Sequence, residues 1–448
     1  MSSLLCLGRH TITGLLATCG SQFQDWSASY RLFSQDRLPV SELFSVVRRD
    51  IANQLPNGAP FRAFLDDSLL RRSGFYTPGV AWRRDPLGPR FQNNFVRAQR
   101  CLQVSASIPG KDGAYRLAPI AFLHAPTPPK PKPKASDEEL AQYRLDARNS
   151  RLCLRAAEQM IQLRQSLDQD PGGQQRLLLL GFDGGYTNST VLKRIPPHTV
   201  CIGRIRKDAK LYSVPDPTLM KPRGRTLRYG ALIPTPEQLR TDDSQPWETM
   251  TFSHSGVQHT LRFKRRQNVM WRTAGTHQIL QLIVIAPLAY RLRKGSKLLY
   301  RDPAYLICTD SKMDPRELIE TYFQRWDIEV NFRDEKTLLG VGQAQVRNAE
   351  SVEAAPALTV AAYAMLLVAA QHAFGNSSDG LLPQPKWAAG SKGPRTSTQQ
   401  LIHQLRAEVW GRGLGIQSFS GFASNVTPVM KSEKCSFDLA SAVCYANG

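Results

Sequence analysis

The chain has 448 residues, with 58 Lys and Arg against 37 Asp and Glu, so its formal net charge is +21. This surplus favours a polyanionic partner such as DNA or RNA, with an anionic lipid surface or a merely basic soluble protein as the alternatives. The length allows two or three domains. The eight cysteines and eight histidines show no C-x-x-C or H-E-x-x-H spacing, which argues against a zinc site and a disulfide framework and favours a reducing cytoplasm.

The first segment, 1–58, is predicted to be helical. Apolar residues recur at helical spacing near its end: Leu43, Val46, Val47 and Ile51. In a basic protein such a region is a candidate DNA-binding module, and a structural cap is the alternative. No targeting segment is expected, because the early apolar stretch lacks a basic region before it and is interrupted by Arg9 and His10.

The next segment, 59–207, is predicted to begin with four strands and to continue with a strand–helix–strand unit. The strand-like runs are RAFLDDS, GVAWRRD, CLQVSASI and YRLAPIAFL. A Pro- and Lys-rich spacer, 126–134, precedes one helix predicted over about 136–168. A buried strand over 177–182 and another from Val200 then flank a turn and a short helix, which predicts a parallel sheet.

The second half divides into three segments. Over 208–310 the helical periodicity disappears, and basic clusters (KPRGRTLRY, LRFKRR, YRLRKGSK) alternate with strand-like runs, so a β-rich insertion is predicted. Segment 311–374 is predicted to hold two helices, an amphipathic one over 314–339 and an uncharged one over 354–371. The uncharged helix is alanine-rich, which favours a buried core helix over a membrane span. Segment 375–448 is predicted to be a C-terminal tail with one helix.

The amphipathic helix carries four polar residues at a regular spacing: Tyr322, Arg325, Glu329 and Lys336. At about 100° per residue they share a stripe roughly 60° wide. A neighbouring apolar stripe is predicted to pack inward: Ile319, Phe323, Trp326 and Val330. A carboxylate between two cations and a phenol suits a metal site that handles phosphate. A solvated face with ion pairs one helical turn apart is the common alternative.

The same spacing matches the Y-R-E-K signature of a group of bacterial insertion-sequence transposases. The surrounding block YFQRWDIEVNFRDEKTLLG also resembles that family at positions other than the four signature residues. The resemblance implies an α/β protein with an RNase H-like catalytic core. This core is interrupted by a β-rich insertion and preceded by a helical N-terminal region. It also implies that Tyr322, Arg325 and Lys336 bind DNA and that Glu329 completes a triad of carboxylates.

Two further blocks carry candidate aspartates. AFLDDSLLRRSG resembles the family's first-aspartate block, with Ser and Arg where Thr and Lys are usual. It assigns Asp66, predicted to end the strand RAFL, as the first metal ligand, with the adjacent Asp67 as an open alternative. DGGYTNSTVLKRI resembles the second-aspartate block and assigns Asp183. Asp66, Asp183 and Glu329 are therefore the predicted catalytic and metal-binding residues, with turn or capping roles as the alternative for the two aspartates.

The resemblance implies a cut-and-paste transposase that acts on double-stranded DNA. Phosphoryl transfer of this kind uses two metal ions, each held by only one or two carboxylates, so two Mg²⁺ ions are expected, with Mn²⁺ as a substitute. Two ends per element imply a homodimer on DNA. No membrane association is expected, and the expected location is the bacterial nucleoid in the cytoplasm.

The sequence is compatible with several alternatives. A transposase-derived DNA-binding protein that no longer cuts would share the basic charge, and an RNase H-like nuclease without strand transfer would share the carboxylate triad. Asp310 is a rival metal ligand whose expected role is in the turn before the amphipathic helix. Trp247 and Trp271 in the insertion are candidates for stacking on a flipped base, with a packing role as the alternative for each.

Overall fold

The structure is a computed structural model, and it describes residues 1–35, 37, 39–89, 91–110, 115–216, 227–254, 257–275, 278–293, 295–375, 382 and 395–413. The helices are α1 Ser2–Leu5, α2 Ile12–Thr18, α3 Ser27–Ser34, α4 Val40–Gln54, α5 Asp137–Asn149, α6 Leu152–Asp168, α7 Ser189–Leu192, α8 Pro236–Thr241, α9 Pro315–Gln324, α10 Trp326–Thr337, α11 Ala349–Phe374 and α12 Thr398–Gly413. The strands are β1 Phe61–Arg71, β2 Ala81–Arg84, β3 Phe95–Ile108, β4 Arg116–His124, β5 Leu178–Phe182, β6 Thr199–Arg204, β7 Tyr212–Ser213, β8 Glu248–His254, β9 Val257–Met270, β10 Leu280–Ile285, β11 Ala289–Tyr290, β12 Leu299–Tyr300 and β13 Ala304–Cys308.

The centre of the fold is a mixed sheet with the strand order β4–β3–β1–β5–β6. β4, β3 and β1 are antiparallel, whereas β1, β5 and β6 run parallel. The parallel part requires a crossover, and α6 lies in the connection that leads from β4 to β5. This arrangement confirms the predicted α/β class and is that of an RNase H-like core.

Helices cover both faces of this sheet. Successive strand residues point to opposite faces. On one face Phe64 packs with Ile328 and Phe332 of α10. On the other face Leu65 belongs to the main core, to which α4, α6 and α11 contribute. The helix that carries Glu329 is thus packed against one face of β1 through apolar side chains.

The β-rich insertion continues the same sheet. β13 pairs antiparallel with β6, and β10 and β9 extend the sheet beyond β13. β7 and β8 both pair with β9. Most of the basic cluster KPRGRTLRY lies outside the described residues. The proposed domain boundaries at 207/208 and 310/311 stay predictions.

The N-terminal helices, predicted from periodicity, pack onto the core. Val47 and Ile51 of α4 belong to the main core, and α2 and α3 pack with α11 through Ile12, Leu16 and Phe33. Burying such side chains stabilises the fold by about 1.5–3 kcal/mol each. This packing supports the cap interpretation of region 1–58, while its DNA-binding role stays a prediction.

Two helices predicted as continuous are each divided in the structure. The helix expected over 136–168 consists of α5 and α6, although Ser136 does begin α5 with a capping box to Glu139. The amphipathic helix is divided at Arg325 into α9 and α10. There the backbone N–H groups of Arg325 and Ile328 donate to carbonyls three residues earlier, at 3.1 Å each.

The prediction of the inward apolar stripe was wrong in part. Ile319 is fully buried, but Trp326 is 56% exposed. Hydrogen bonds three residues apart wind the chain more tightly than an α-helix does, so the residues after Arg325 are rotated relative to an ideal helix. As a result Asp327, Ile328 and Asn331 face inward in α10.

α11 is long and apolar enough to cross a membrane by length and composition, yet 56% of its most apolar window is buried. It packs against α4, β4 and α3, which confirms the prediction of a buried core helix; the absence of a membrane role stays a prediction. α12 is the helix predicted in the C-terminal tail. Apart from 375, 382 and 395–413, segment 375–448 lies outside the described residues.

Candidate active site

Asp66 and Asp183 lie side by side on neighbouring parallel strands. β1 pairs with β5 up to Leu65 opposite Phe182, and each aspartate follows directly. β1 continues to Arg71, so the prediction that Asp66 ends its strand was wrong. Asp66 nevertheless lies at the carboxyl edge of the parallel sheet, where its neighbour β5 stops. Ligand-binding residues of open α/β sheets collect at this edge.

The two carboxylates repel each other. Burial raises the pKa of Asp66 to about 7, with the charge of Asp183 as the second cause and Arg325 as the main opposing charge. Asp66 Oδ1 accepts a hydrogen bond from the backbone N–H of Asp67 at 2.9 Å. Close anionic oxygens whose charges are incompletely compensated are the setting in which a divalent cation binds favourably.

The turn after β5 fixes Asp183. Its Oδ1 accepts from the backbone N–H of Gly185 at 2.8 Å, and Thr187 Oγ1 donates to its carbonyl at 2.8 Å. Thr187 lies against Gly203 of β6, where a β-carbon would come within 2.2 Å of the threonine hydroxyl. Only glycine fits at that strand position, so the sequence of β6 supports the geometry of the turn that carries Asp183.

Asp67 has a different environment from Asp66. Its Oδ1 accepts a 2.6 Å hydrogen bond from the Tyr186 hydroxyl, and its Oδ2 lies 3.4 Å from Arg100 Nε. Neighbouring strand residues point to opposite faces, so Asp67 faces away from Asp183. The structure thereby separates the two aspartates that the sequence left as alternatives, and it places Asp66 beside Asp183.

Arg325 joins the third carboxylate to this group. Its Nη1 lies 3.2 Å from Asp66 Oδ2 and its Nη2 lies 3.2 Å from Glu329 Oε1. The guanidinium also lies 5.8 Å from the ring centroid of Tyr322. Lys336, farther along α10, donates from Nζ to Ser68 Oγ at 2.5 Å. The six residues predicted for catalysis and DNA binding therefore converge on one edge of the sheet.

The metal site is not preassembled. Among the described residues, no group of three or more His, Cys, Asp and Glu side chains is close enough to hold a metal ion. Arg325 instead separates Glu329 from the two aspartates by binding both Asp66 and Glu329. The oxygen-only ligand set and the repulsion between Asp66 and Asp183 fit a hard divalent cation, provided that Arg325 gives up its carboxylate partners.

Asp310 lies away from this group. β13 is antiparallel to β6, and the backbone N–H of Thr309, just before Asp310, donates to the carbonyl of Cys201 near the amino end of β6. Asp183 lies at the opposite, carboxyl end. Asp310 Oδ1 accepts from the backbone N–H of Lys312 at 2.8 Å, in the turn before α9. The turn role predicted for Asp310 is the one that this geometry supports.

The two tryptophans of the insertion differ. Trp247 is covered by cations, with Lys264 Nζ 4.7 Å and Arg262 5.6 Å from its ring, which favours a packing role. Trp271 packs partly against the core and lines an open cavity of about 1000 Å³. That cavity reaches Gly184, next to Asp183, and Arg204 is among its basic lining residues. The stacking role of either tryptophan stays a prediction.

Two residues near the site were missed by the sequence analysis. Tyr186 follows the Gly-Gly turn directly, a position that could have drawn attention to it. Glu335 offered no signal, because charged residues on an amphipathic helix usually belong to a solvated face. In the structure Glu335 is 2% exposed, and burial raises its pKa to about 8, opposed by a hydrogen bond with Gln103 of β3.

This strand order and the carboxylates at its edge define a DDE-type nuclease fold. The chain matches the family described as DDE superfamily endonuclease over residues 2–279, and it belongs to that family. No curated protein matches the chain. The family implies a transposase-like nuclease with a DNA substrate, and its members typically use divalent metal ions. The match ends before α10, so the assignment of Glu329 depends on the geometry and on the Y-R-E-K signature.

Proposed function

We propose that this protein is a transposase that binds the ends of its insertion sequence, cleaves them by metal-dependent phosphoryl transfer and joins them to target DNA. The observation that carries the proposal is the convergence of Asp66, Asp183 and Glu329 at the carboxyl edge of the sheet, through the bridge made by Arg325. We place the protein on the nucleoid in the bacterial cytoplasm, acting as a homodimer on double-stranded DNA.

The three carboxylates would hold two Mg²⁺ ions, for which Mn²⁺ is a substitute. Bound there, the ions would supply charge stabilisation for the attacking and leaving oxygens of the phosphoryl group. Asp66 and Asp183 already face each other across adjacent strands. Glu329, with a side chain 40% exposed, is the carboxylate with the most freedom to leave Arg325 and approach them.

The cationic residues of α9 and α10 fit the task of holding DNA. Arg325, once released from Glu329, offers a planar fork that matches phosphate oxygens, and the Tyr322 ring beside it restricts its position. Lys336 lies over Ser68 of β1 and presents a point charge on the same edge. These residues would orient the strand so that the scissile phosphate lies over the carboxylates.

Cleavage of end DNA by a Glu329→Gln variant tests this assignment. We expect loss of Mg²⁺-dependent cleavage with DNA binding nearly unchanged, together with a smaller stabilisation of the DNA-free protein by Mg²⁺ in thermal denaturation. Glu320→Gln is the matched control, because Glu320 is on α9 and pairs with Arg316 away from the site. Wild-type cleavage by the Glu329→Gln variant would refute the triad.

Two alternatives give different results in the same experiment. A transposase-derived DNA-binding protein would bind ends but would not cut them even as wild type. A nuclease without strand transfer would cut and lose activity in Glu329→Gln, but it would not join the cleaved ends to a target plasmid. The presence of all three carboxylates at one edge favours the active enzyme over the first of these alternatives.

A further inference from the structure

A second surface of the protein combines exposed aromatic rings with arginines. Large apolar side chains between β1 and β3 are strongly exposed: Phe75, Tyr76, Trp82, Leu87, Phe91 and Phe95, from 56% to 92%. Residues 71–100 also contain seven arginines and one acidic residue, Asp85. Exposed apolar side chains that cluster in this way mark an interaction surface.

The β2–β3 hairpin arranges part of this segment in a regular pattern. Trp82 lies opposite Arg97, and Arg84 lies opposite Phe95, so each ring has an arginine as its cross-strand neighbour. Arg97 in addition lies 4.5 Å over the ring of Phe75. We call Trp82, Arg84, Phe95 and Arg97 the aromatic–arginine face.

This face is built on a fixed base. Arg72 Nη1 donates to the carbonyls of Gly342 and Ala344, at 2.6 and 2.8 Å, and so ties the end of β1 to the chain after α10. Arg71, the last residue of β1, and Asp85, which follows β2, form an ion pair at 2.8 Å. The rings therefore project from an anchored backbone, which lowers the entropy lost when a partner binds them.

Strand register puts this face on the same side of the sheet as Asp66. Asp66 lies opposite Gln103 of β3, and the pairing continues without a register shift to Arg71 opposite Ala98. Alternate residues from Gln103 to Phe95 therefore share the side that carries Asp66. Arg97 and Phe95 lie six and eight residues from Gln103, about 20–27 Å at about 3.4 Å per residue.

We propose that the aromatic–arginine face binds unpaired nucleotides of the DNA strand that leaves the cleavage site, with bases stacked on Trp82 and Phe95 and phosphates held by Arg84. Arg97, whose Nη2 donates to the carbonyl of Phe75, holds the Phe75 ring beside this face. The inference rests on the proposed function. Stacking on aromatic side chains combined with a basic groove is how proteins bind single strands without sequence preference.

Charge decides between DNA and a second copy of the chain as the occupant. In a two-fold interface the same patch meets itself, so the arginines of one copy would face those of the other. With a single acidic residue in 71–100 there is little to compensate that repulsion. A polyanion with stackable bases satisfies both the rings and the arginines.

The test compares binding of a short oligo(dT) strand and of a fully paired duplex, in chelator so that no cleavage occurs. For Trp82→Leu/Phe95→Leu we expect the oligo(dT) affinity to fall roughly tenfold or more, with little change for the duplex. Trp82→Phe, which keeps a ring, should retain most of the affinity. Leu87→Ser is the matched control, an exposed apolar residue of the same segment that lies outside the face.

The inference would be overturned if the double variant lost the same affinity for oligo(dT) and for the duplex, or lost none. It would also be overturned if Leu87→Ser lost as much oligo(dT) affinity as the double variant. So would a change in the sedimentation of the DNA-free double variant at unaltered oligo(dT) affinity, which would assign the face to contact between copies. If the double variant binds oligo(dT) normally while Glu329→Gln abolishes cleavage, this inference fails and the proposed function stands. If oligo(dT) binding depends on the face but the wild type never cuts, the proposed function fails instead.

Discussion

Arg325 Nη1 lies 3.2 Å from Asp66 Oδ2. The cation at the junction of α9 and α10 therefore pairs with the carboxylate whose pKa burial raises to about 7. The same guanidinium reaches Glu329 at 3.2 Å. Under the proposed function, Arg325 occupies carboxylate oxygens that the metal ions would use. We therefore expect metal binding and phosphate binding to be coupled, since releasing Arg325 exposes ligands for a cation and a fork for an anion.

Replacing Arg325 by Gln should destabilise the metal-free protein by about 1–3 kcal/mol, because Asp66 and Asp183 lose their nearby cation. The added stability on Mg²⁺ addition should be larger than in wild type, because no cation then competes for the carboxylates. Thermal denaturation with chelator and with Mg²⁺ measures both effects. Arg316→Gln, which removes an exposed ion pair on α9, should change neither. An unchanged Mg²⁺ response in Arg325→Gln would contradict the competition.

Substitutions of the adjacent residues Asp66 and Asp67 should have different effects on cleavage. Asp66→Asn should lose cleavage by orders of magnitude, because a metal ligand beside Asp183 is neutralised. Asp67→Asn should keep substantial activity and lose about 1 kcal/mol of stability, because its contacts are the Tyr186 hydroxyl and Arg100 rather than the other carboxylates. Cleavage assays and denaturant unfolding measure the two effects. The reverse ranking would make Asp67 the ligand.

These residues also indicate how far a sequence alone can predict this site. A buried strand followed by Asp-Gly-Gly was enough to place Asp183 at the end of a strand, whereas the sequence left Asp66 and Asp67 as alternatives. Which of the two meets Asp183 depends on how β1 pairs with β5, a non-local property that no local pattern contains.

The division of the amphipathic helix was not predictable for a similar reason. No Pro or Gly interrupts 314–339 beyond Pro315 at its start, so helical periodicity gave one continuous element. The tighter turn at Arg325 arises where α9 and α10 pack on different strands. It turns Trp326 outward. Arg325, at the turn itself, still contacts Tyr322 before it and Glu329 after it.

Lys336 should contribute one phosphate contact to DNA binding. The logarithm of the binding constant should fall linearly with the logarithm of salt concentration, and Lys336→Ala should lower the slope by about one unit. Lys312→Ala is the matched control, because Lys312 is exposed at the opposite edge of the sheet, beside Asp310. Titrations of duplex DNA at several salt concentrations measure the slope. Equal slopes for Lys336→Ala and wild type would remove Lys336 from the DNA contact.

Glu335 should make stability depend on pH. Its folded-state pKa of about 8 lies above the ordinary value of 4.5, so its contribution is fully present below about pH 4.5 and is lost as the pH rises through about 8. Glu335→Gln, which cannot ionise, should therefore be more stable than wild type at pH 9, by about 2–5 kcal/mol, with a smaller difference at pH 5. Denaturant unfolding across this range measures the difference. A stability difference that is independent of pH, or one seen equally in the control variant Glu320→Gln, where the glutamate is only partly buried, would contradict the burial of a titrating carboxyl.

The protein should assemble as a dimer on paired DNA ends. Each carboxylate site can act on one strand end at a time, and an insertion sequence has two ends, so two protomers should act together on paired ends. We expect a DNA-free protein that is largely monomeric and that dimerises on end DNA, which sedimentation with and without end DNA measures. Mixing tagged Glu329→Gln protein with wild type should give complexes that cut a single end, because the inactive protomer still binds its end. Full-rate cutting of an isolated end by a lone protomer would contradict the paired model and favour a nuclease without strand transfer.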